Sequence, residues 1–307
     1  MNLLSPTEIK ILLNKHSTRL SRGLGQNFLI DENTLEKIIK SAELKPDDVV
    51  LEIGPGIGTL TRELAKFAEK IVAVEKSQKM CEILNEVLAA KNLLNVQVVN
   101  ADILKILSPE SSLRGARRRR GNLEYVHKSW IASSVASLLP RNDNGYKVVA
   151  NIPYYITAPL IRLFLENENQ PEFMVLMVQK EVAQRICAKP PDMTLLSVSV
   201  QFYAEAKIMG YVSKNCFWPA PKVDSAIIKI TPHKTVRAPS SIEKEKFFKV
   251  VKAGFLQPRK QLGNNFSKAL RLDREQINLW LSKNNIKPGQ RAETLSVQDW
   301  KNLANSI

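Results

Sequence analysis

The segment from Val148 to Ile156 reads Val-Val-Ala-Asn-Ile-Pro-Tyr-Tyr-Ile and joins an apolar strand to side chains that can orient a planar amino group. Its β-branched start is typical of a buried strand. Because Pro153 cannot continue a strand's hydrogen bonds, the chain must turn near Ile152. Asn151 would then offer a carbonyl oxygen as an acceptor, and Tyr154 a flat face on which a base can stack. The alternative is an ordinary strand end followed by a turn.

A glycine-rich segment and two strand-terminal acids form a second group of residues with chemical potential. Gly54 to Thr59, which reads Gly-Pro-Gly-Ile-Gly-Thr, follows a strand predicted to start at Asp48. Glycines at such a place let the backbone bend sharply and approach a ligand closely. The next predicted strand, Lys70 to Glu75, ends in an acid that can accept hydrogen bonds from ribose hydroxyls. A third strand, Val96 to Asp102, also ends in an acid.

These elements alternate with helical patterns, which predicts a doubly wound α/β fold whose carboxyl strand edge binds a nucleoside. Gly54 would contact the tail of that ligand, Glu75 its ribose and Asp102 its base amino group. Two alternatives stay open: Glu75 can be a solvated strand end, and Asp102 can be a helix cap or turn residue. The glycine pattern lacks the full dinucleotide fingerprint, so taken alone it also allows a dehydrogenase.

Length and composition limit the class of protein. The 307 residues, 44% of them hydrophobic, suit one large domain or two smaller ones. We expect no membrane span, because no apolar run approaches about 18 residues, and no secretory signal. The cysteines and histidines are widely separated, so we expect neither a disulfide framework nor a metal site. The sequence therefore predicts a protein of the reducing cytoplasm. The residues concerned are Cys81, Cys187, Cys216, His16, His127 and His233.

The net charge of +15 is concentrated in three segments. Residues 1–24 carry four basic side chains and one acid, residues 111–145 seven and two, and residues 234–307 fifteen and six. The rest of the chain is nearly neutral. Segregated basic charge of this kind is typical of a nucleic-acid binder, whose affinity comes largely from phosphate contacts. The alternative is that the basic residues only keep the surface soluble.

Changes in pattern suggest domain boundaries. We predict a short amphipathic or frayed leader over residues 1–20 and an α/β domain over residues 21–233. Residues 108–145 contain four successive arginines and interrupt the alternation of strands and helices, so we predict a disordered insertion there, with RNA contact as a secondary role. A linker over residues 231–240 precedes a small basic helical domain at residues 234–307.

The second half of the α/β domain contains helical patterns at residues 158–166 and 180–188 and apolar runs at residues 173–179, 195–204 and 206–212, which we interpret as strands. A proline-stiffened loop follows. Pro219 and Pro221 restrict it, so Phe217 can be held outward at low entropic cost. The alternative is that Phe217 is an ordinary core residue.

Taken together, several motifs in this order and spacing resemble the KsgA-type ribosomal RNA adenine dimethyltransferases. Each motif alone is weak, but the resemblance covers about residues 19–306 apart from 108–145. The motifs are Gly25-Gln-Asn-Phe-Leu, Glu52-Ile-Gly-Pro-Gly-Ile-Gly, Asn100-Ala-Asp, Asn151-Ile-Pro-Tyr-Tyr-Ile, Gln179-Lys-Glu-Val-Ala-Gln-Arg, Phe217-Trp-Pro-Ala-Pro-Lys-Val-Asp-Ser, Arg259-Lys-Gln-Leu-Gly-Asn-Asn-Phe and Arg291-Ala-Glu-Thr-Leu-Ser.

The resemblance implies a Rossmann-like class I methyltransferase domain, a small C-terminal all-α domain and S-adenosylmethionine as cofactor. It implies a monomer that binds 16S rRNA in the small ribosomal subunit and dimethylates two adjacent adenines near the 3′ end of that RNA, without a metal. The implied catalytic residues are Asn151, Ile152, Pro153, Tyr154 and Phe217. The implied cofactor-binding residues are Asn27, Leu29, Gly54, Gly56, Glu75, Asp102 and Asn151.

Two features depart from the family pattern. The family has a much shorter link between its equivalents of Asp102 and Asn151, which is why residues 108–145 are interpreted as an insertion that loops out. Ala220 stands where the family often has proline, a change that we expect to matter little.

Two rival functions share the fold: a large-subunit rRNA adenine methyltransferase that confers antibiotic resistance, and a non-catalytic RNA-binding assembly factor. The dehydrogenase reading leaves the Asn-Ile-Pro-Tyr and Phe-Trp-Pro-Ala-Pro motifs unused.

Overall fold

A computed structural model of the chain describes residues 1–18, 26–106, 139, 145–233 and 240–307. The predicted insertion at residues 108–145 lies, except for its end and residue 139, outside the described residues. The chain divides into two units. The first consists of Met1–Ala183 and Lys207–Pro232, and the second of Gln184–Ala206 and His233–Ile307. Residues 184–206, which the sequence analysis placed in the α/β domain, therefore belong to the second unit.

The first unit is built on a seven-stranded sheet of order β4-β3-β2-β5-β6-β9-β7. Strands β2 to β6 pair in parallel with one another, whereas β9 is antiparallel to β6. The central strands are buried along nearly their whole length, as expected for a sheet covered on both faces. The seven are β2 (Val49–Ile53), β3 (Lys70–Glu75), β4 (Val96–Asn100), β5 (Tyr146–Asn151), β6 (Met174–Gln179), β7 (Ala204–Val212) and β9 (Ser225–Pro232).

Helices connect the parallel strands, which gives the doubly wound, Rossmann-like arrangement that the sequence predicts. Two short strands, β1 (Phe28–Leu29) and β8 (Phe217–Trp218), pair separately in an antiparallel ribbon. The helices of this unit are α1 (Pro6–Lys15), α2 (Glu32–Ala42), α3 (Thr59–Leu64), α4 (Gln78–Ala89), α5 (Ile103–Ile106) and α6 (Thr157–Leu165), with α7 (Lys180–Ile186) at the boundary between the units.

Local capping explains where several helices begin. Asp31 caps α2, because its side chain accepts a hydrogen bond from the Thr34 amide at 2.7 Å. The predicted leader contains a regular helix, since Ser5 caps α1 and Pro6 occupies its first turn. The apolar side of α1 is buried at Ile9, Leu12 and Leu13.

The second unit is helical and has its own apolar core. Phe202 and Phe247 stack with ring centroids 4.1 Å apart, and Trp300 is fully buried. Its helices are α8 (Leu195–Gln201), α9 (Ser241–Gly254), α10 (Leu262–Leu270), α11 (Arg274–Lys283) and α12 (Val297–Asn305), with a 3₁₀ turn at Ala292–Thr294. The last four of these helices lie in residues 234–307, the segment that the sequence predicts to be helical.

The strand predicted over residues 195–204 is wrong, because Leu195–Gln201 forms helix α8. Alternating serine and valine mimic the period of a strand in this stretch. A capping box outweighs that pattern: Thr194 Oγ1 accepts a hydrogen bond from the Ser197 amide at 3.0 Å, and Ser197 Oγ accepts one from the Thr194 amide at 2.7 Å. Burial of Val198 in the core of the second unit favours the same helix.

A buried ion pair stabilises the amino end of the sheet. Lys147 Nζ lies 2.6 Å from Asp48 Oδ2 and donates a further hydrogen bond to the Glu43 carbonyl at 3.0 Å, and the Lys147 side chain is only 3% exposed. We expect Asp48→Ala to lower the free energy of unfolding by about 3 kcal/mol, because it leaves a buried ammonium without its counter-charge. Urea denaturation measures this loss. Lys40→Ala, which breaks an exposed pair with Glu36, should cost below about 0.5 kcal/mol.

Candidate active site

The sheet order brings the glycine turn and the Asn-Ile-Pro-Tyr segment together. The chain runs outward from β2 through β3 to β4 and then returns to place β5 on the other side of β2, so the strand order reverses between β2 and β5. Leu51 pairs with Val148, and Gly54 and Asn151, each three residues further along the chain, both line the cavity at this sheet edge. Open α/β sheets bind ligands outside the carboxyl ends of their strands at such a reversal.

A cavity lies at this edge of the first unit, and every site residue predicted from the sequence lines it. Both the cofactor-binding set and the catalytic set contribute, although they come from distant parts of the chain. The predicted residues on the wall are Asn27, Leu29, Gly54, Gly56, Glu75, Asp102, Asn151, Ile152, Pro153, Tyr154 and Phe217.

The side chain of Asn151 is half-buried at the end of β5, and its orientation leaves the carbonyl oxygen available. Its Nδ2 donates a long hydrogen bond of 3.5 Å to the Asn27 carbonyl. Oδ1 is therefore the atom left to accept hydrogen bonds. Pro153 Cδ lies 3.6 Å from the position that a Cβ on Gly54 would take, so the two turns pack directly against each other.

Tyr154 is held by its neighbours rather than free at the surface. It begins the 3₁₀ turn Tyr154–Ile156, and its hydroxyl lies 2.8 Å from Ser225 Oγ at the start of β9. Burial raises the pKa of Tyr154, while the hydrogen bond to Ser225 acts in the opposite direction. The phenol therefore stays neutral at physiological pH, and its ring is fixed at the wall of the cavity.

Phe217 is buried, so the expectation that the proline-stiffened loop holds it outward is wrong. The side chain is 3% exposed and belongs to the core of the first unit, as the alternative interpretation had it. Its backbone pairs with Leu29 across the β1–β8 ribbon. This pairing places a predicted cofactor residue and a predicted base-binding residue side by side, and Phe217 lines the cavity from within the core.

The glycine turn adopts a backbone shape that other residues resist. Gly54 and Gly56 have φ values of +66° and +57°, in the left-handed region. A Cβ on Gly56 would also lie 3.2 Å from Cε1 of Phe28. A side chain at Gly56 would thus strain the backbone and crowd the Phe28 ring, which keeps this stretch of the cavity wall bare.

Glu75 serves the turn as well as the cavity. Its Oε2 accepts a hydrogen bond from the Gly56 amide at 3.2 Å, and its Oε1 accepts one from the Ser77 amide at 2.8 Å. Burial raises the pKa of Glu75, and the backbone hydrogen bonds oppose that rise. The carboxylate is therefore not the solvated strand end that was considered, since it ties the glycine turn to the end of β3.

Asp102 has two protein partners in addition to its place on the cavity wall. Its Oδ2 lies 3.1 Å from Lys76 Nζ, and its Oδ1 accepts a hydrogen bond from the Leu104 amide at 3.2 Å. The helix-cap alternative is thus correct for one oxygen. The hydrogen bond to Asp102 raises the pKa of Lys76. Lys76 also lines the cavity, and the sequence analysis did not select it.

Glu52 is the second cavity residue that the sequence analysis did not select. It is 1% exposed, and its Oε2 has no hydrogen-bond partner among the residues that the structure describes. The hydroxyl of Thr59 is buried and without a partner among the same described residues. Burial raises the pKa of Glu52 to about 8, a hydrogen bond with Thr61 opposes that rise, and the charge of Glu75 acts in the same direction as burial. The sequence feature that could have identified Glu52 is its position as an acid within the apolar strand that leads into the glycine turn.

This raised pKa predicts a pH-dependent stability. The unfolded chain loses the Glu52 proton near the ordinary value of 4.5, whereas the folded protein keeps it up to about pH 8. Since the folded state binds more protons across that window, its stability should fall as pH rises through it. Glu52→Gln removes this effect, and its advantage over wild type should grow to on the order of 2–4 kcal/mol by pH 8.

Urea denaturation at pH 5, 6.5 and 8 measures this advantage. Glu82→Gln is the matched control, because the Glu82 side chain is 41% exposed on α4. A stability difference between Glu52→Gln and wild type that stays constant from pH 5 to pH 8 would contradict a protonated, buried carboxyl.

No group of three or more His, Cys, Asp or Glu side chains in the described parts of the chain is placed to hold a metal ion. None of the helices within the described ranges is long and apolar enough to span a bilayer.

The chain matches the model of a protein family described as "Ribosomal RNA adenine dimethylase" over residues 17–307. It is 40% identical over 297 residues to "Ribosomal RNA small subunit methyltransferase A" of Dehalococcoides mccartyi strain CBDB1, covering 96% of this chain and 91% of the relative. It is 37% identical over 308 residues to the protein of the same description from Clostridioides difficile strain 630, covering 99% and 96%.

Solved structures share the fold. The 23S rRNA methyltransferase ErmE superposes with a TM-score of 0.66 at 25% identity, over 92% of this chain and 99% of that one. A dimethyladenosine transferase from Plasmodium falciparum superposes with a TM-score of 0.65 at 24% identity, over 90% and 95%. At this level of identity, the second likeness concerns the fold alone.

Proposed function

This chain belongs to the ribosomal RNA adenine dimethylase family, and on that premise we propose that it transfers methyl groups to adenines of 16S rRNA. The targets are the exocyclic amino groups of two adjacent adenines near the 3′ end, each methylated twice with S-adenosylmethionine. The observation that carries the proposal is the position of Asn151. Its carbonyl oxygen is left to accept hydrogen bonds at the sheet reversal, in the cavity that the glycine turn also lines.

The residues of the cavity fit the proposed cofactor. The wall is bare at Gly54 and Gly56, where a nucleoside must approach the backbone, and carboxylates stand at the ends of β3 and β4. Glu52 Oε2 adds a buried oxygen that has no hydrogen-bond partner in the described part of the chain. The residues proposed to hold the cofactor are Asn27, Leu29, Gly54, Gly56, Glu75, Asp102 and Asn151. When bound, S-adenosylmethionine supplies an electrophilic methyl group on a positively charged sulfur.

Asn151 and Ile152 orient the target amino group. An adenine amino nitrogen is a poor nucleophile because its lone pair is delocalised into the ring, so it needs orientation more than a strong base. Asn151 Oδ1 and the Ile152 carbonyl oxygen accept its two hydrogens, which favours a tetrahedral nitrogen with its lone pair directed at the methyl group. Neither oxygen is basic enough to keep a proton, so the surplus proton leaves to water. The rate gain comes mainly from positioning.

Tyr154 and Phe217 bind the ring of the target adenine after it has left its stack. The Tyr154 hydroxyl is fastened to Ser225, and Phe217 is fixed by the core and by its pairing with Leu29. Two fixed aromatic walls lose little side-chain freedom when a base enters between them. Pro153 packs on Gly54 and keeps the two residues that follow it at a set distance from the glycine turn.

The second unit is proposed to bind RNA of the small ribosomal subunit. Residues 234–307, most of that unit, hold fifteen basic and six acidic side chains. A surplus of this size supplies phosphate contacts that are independent of sequence. The protein would act as a monomer in the cytoplasm, where its substrate is assembled.

Methyl transfer to isolated ribosomal subunits tests the proposal. Small and large subunits from cells that lack this methylation are incubated separately with the protein and labelled S-adenosylmethionine. We expect label on the small subunit only. Label on the large subunit would support the antibiotic-resistance type of methyltransferase instead. Binding to the small subunit without any methyl transfer would instead support a non-catalytic assembly factor.

A further inference from the structure

Helix α1 packs against two segments of the cavity wall and against helix α4, although it supplies no residue to that wall. Its buried leucines and isoleucine join a separate apolar cluster with residues from the start of β1, the glycine turn and helix α4. The helix precedes residues 17–307, which match the family model. The buried members of the cluster are Leu3, Ile9, Leu12, Leu13, Phe28, Ile57, Met80, Ile83 and Val87.

Phe28 links α1 to the glycine turn. Its ring belongs to the α1 cluster on one side, and on the other its Cε1 lies 3.2 Å from the position of a Cβ on Gly56. Ile57, the next residue of the turn, is fully buried in the same cluster. Gln26 to Leu29 also line the cavity. A movement of α1 would therefore displace two segments of the cavity wall, namely residues 26–29 and the glycine turn.

Helix α4 provides the second link. Leu84 and Val87 on α4 lie against Gly58, with Leu84 Cδ1 2.5 Å from the position of a Cβ on that glycine. Val87 also packs in the α1 cluster. Polar side chains also join the end of α1 to α4. Glu86 on α4 lies 2.7 Å from Lys15 Nζ and 3.0 Å from His16 Nε2.

A third contact reaches the base-binding side. Lys10 Nζ lies 5.6 Å from the centre of the Trp218 ring, and Trp218 packs at the margin of the α1 cluster. Trp218 pairs with Phe28 across the β1–β8 ribbon and follows Phe217. Helix α1 therefore also contacts the β1–β8 ribbon, through a cation–π contact between Lys10 and Trp218 that is of modest strength.

We infer that α1 is a positioning element for cofactor binding, and that Leu13 and Ile9 act through Phe28 and Ile57 to hold the glycine turn and β1 in their binding shape. The inference rests on the proposed function. A cavity wall that is correctly shaped in only a fraction of molecules weakens apparent affinity by that fraction. Loosening α1 should therefore weaken binding of the cofactor and its product, while the positions of Asn151 and Tyr154 are unaffected.

Calorimetric titration with S-adenosylhomocysteine, the product form of the cofactor, tests this inference without RNA. We expect Leu13→Ala to raise the Kd about tenfold. At saturating S-adenosylmethionine its kcat on small subunits should stay within about twofold of wild type, because bound molecules have the correct wall. Leu13→Met, which refills the volume, should restore most of the affinity.

Leu165→Ala is the matched control, because Leu165 is 2% exposed at the end of α6 and is outside both the cavity wall and the α1 cluster. It should lose stability to a similar degree and keep the wild-type Kd. If Leu13→Ala does not fold, Ile9→Val removes one methyl group from the same cluster, and the expected rise in Kd is about threefold.

An unchanged Kd in the folded α1 variant, or an equal rise in Leu165→Ala, would overturn the inference and leave the proposed function intact. Failure of the folded wild-type protein to bind S-adenosylhomocysteine would overturn the proposed function, and the inference with it.

Discussion

Asn151→Ala is expected to lower kcat for methyl transfer by about 10³-fold while the protein stays folded. The Asn151 oxygen is one of the two acceptors proposed to orient the target amino group, and alanine supplies no acceptor in its place. The fold should tolerate the change, because the half-buried carboxamide gives up only a 3.5 Å hydrogen bond to the Asn27 carbonyl.

Single-turnover methylation of undermethylated small subunits measures this loss, with the circular dichroism melting curve recorded alongside. Asn167→Ala is a suitable control: it makes the same truncation in a half-buried loop after α6, outside the cavity wall, and should keep wild-type turnover. Near-wild-type turnover in Asn151→Ala would remove Asn151 from the mechanism, and with it the observation on which the proposed function rests.

Glu75→Ala is expected to weaken S-adenosylmethionine binding by about 100-fold and to leave kcat at saturating cofactor nearly unchanged. Each hydrogen bond to a charged group contributes about 1.5–3 kcal/mol, and the change removes the proposed ribose contact. It also frees the Gly56 amide, which donates to Glu75 Oε2 at 3.2 Å. Because the ribose takes no part in bond breaking, the loss should be the same in the ground state and the transition state.

The measurement is KM for S-adenosylmethionine against kcat, together with Kd for S-adenosylhomocysteine. Glu82→Ala, on the exposed side of α4, should leave all three constants unchanged. A fall in kcat as large as the rise in KM would assign Glu75 to the chemical step and would contradict its role as a binding residue.

Much of the site could be predicted because its residues follow strands. The glycine turn, two acids and Asn151 each lie at or just after the end of a predicted strand, and parallel strands bring their carboxyl ends to one sheet edge. For this reason Gly54, Glu75, Asp102 and Asn151 line the same cavity.

What could not be predicted depends on contacts across the fold. The burial of Phe217 depends on its pairing with Leu29, which lies far away in the chain. The sequence allowed Asp102 to be either a cofactor residue or a helix cap. In the structure its Oδ1 accepts a hydrogen bond from the Leu104 amide, and its Oδ2 pairs with Lys76 Nζ. The raised pKa of Glu52 arises from burial, which sequence pattern indicates only indirectly. Helix α8 shows the reverse case, where local capping outweighs an apparent strand period.

The product nucleoside is the most direct test of the central claim, which is that this cavity dimethylates two neighbouring adenines of the small-subunit rRNA. Undermethylated small subunits are incubated with the wild-type protein and S-adenosylmethionine, and the rRNA is digested and analysed by mass spectrometry with position mapping. We expect dimethyladenosine at two adjacent positions near the 3′ end, and none with Asn151→Ala. Monomethyladenosine alone, or dimethyladenosine elsewhere in the RNA, would contradict that claim.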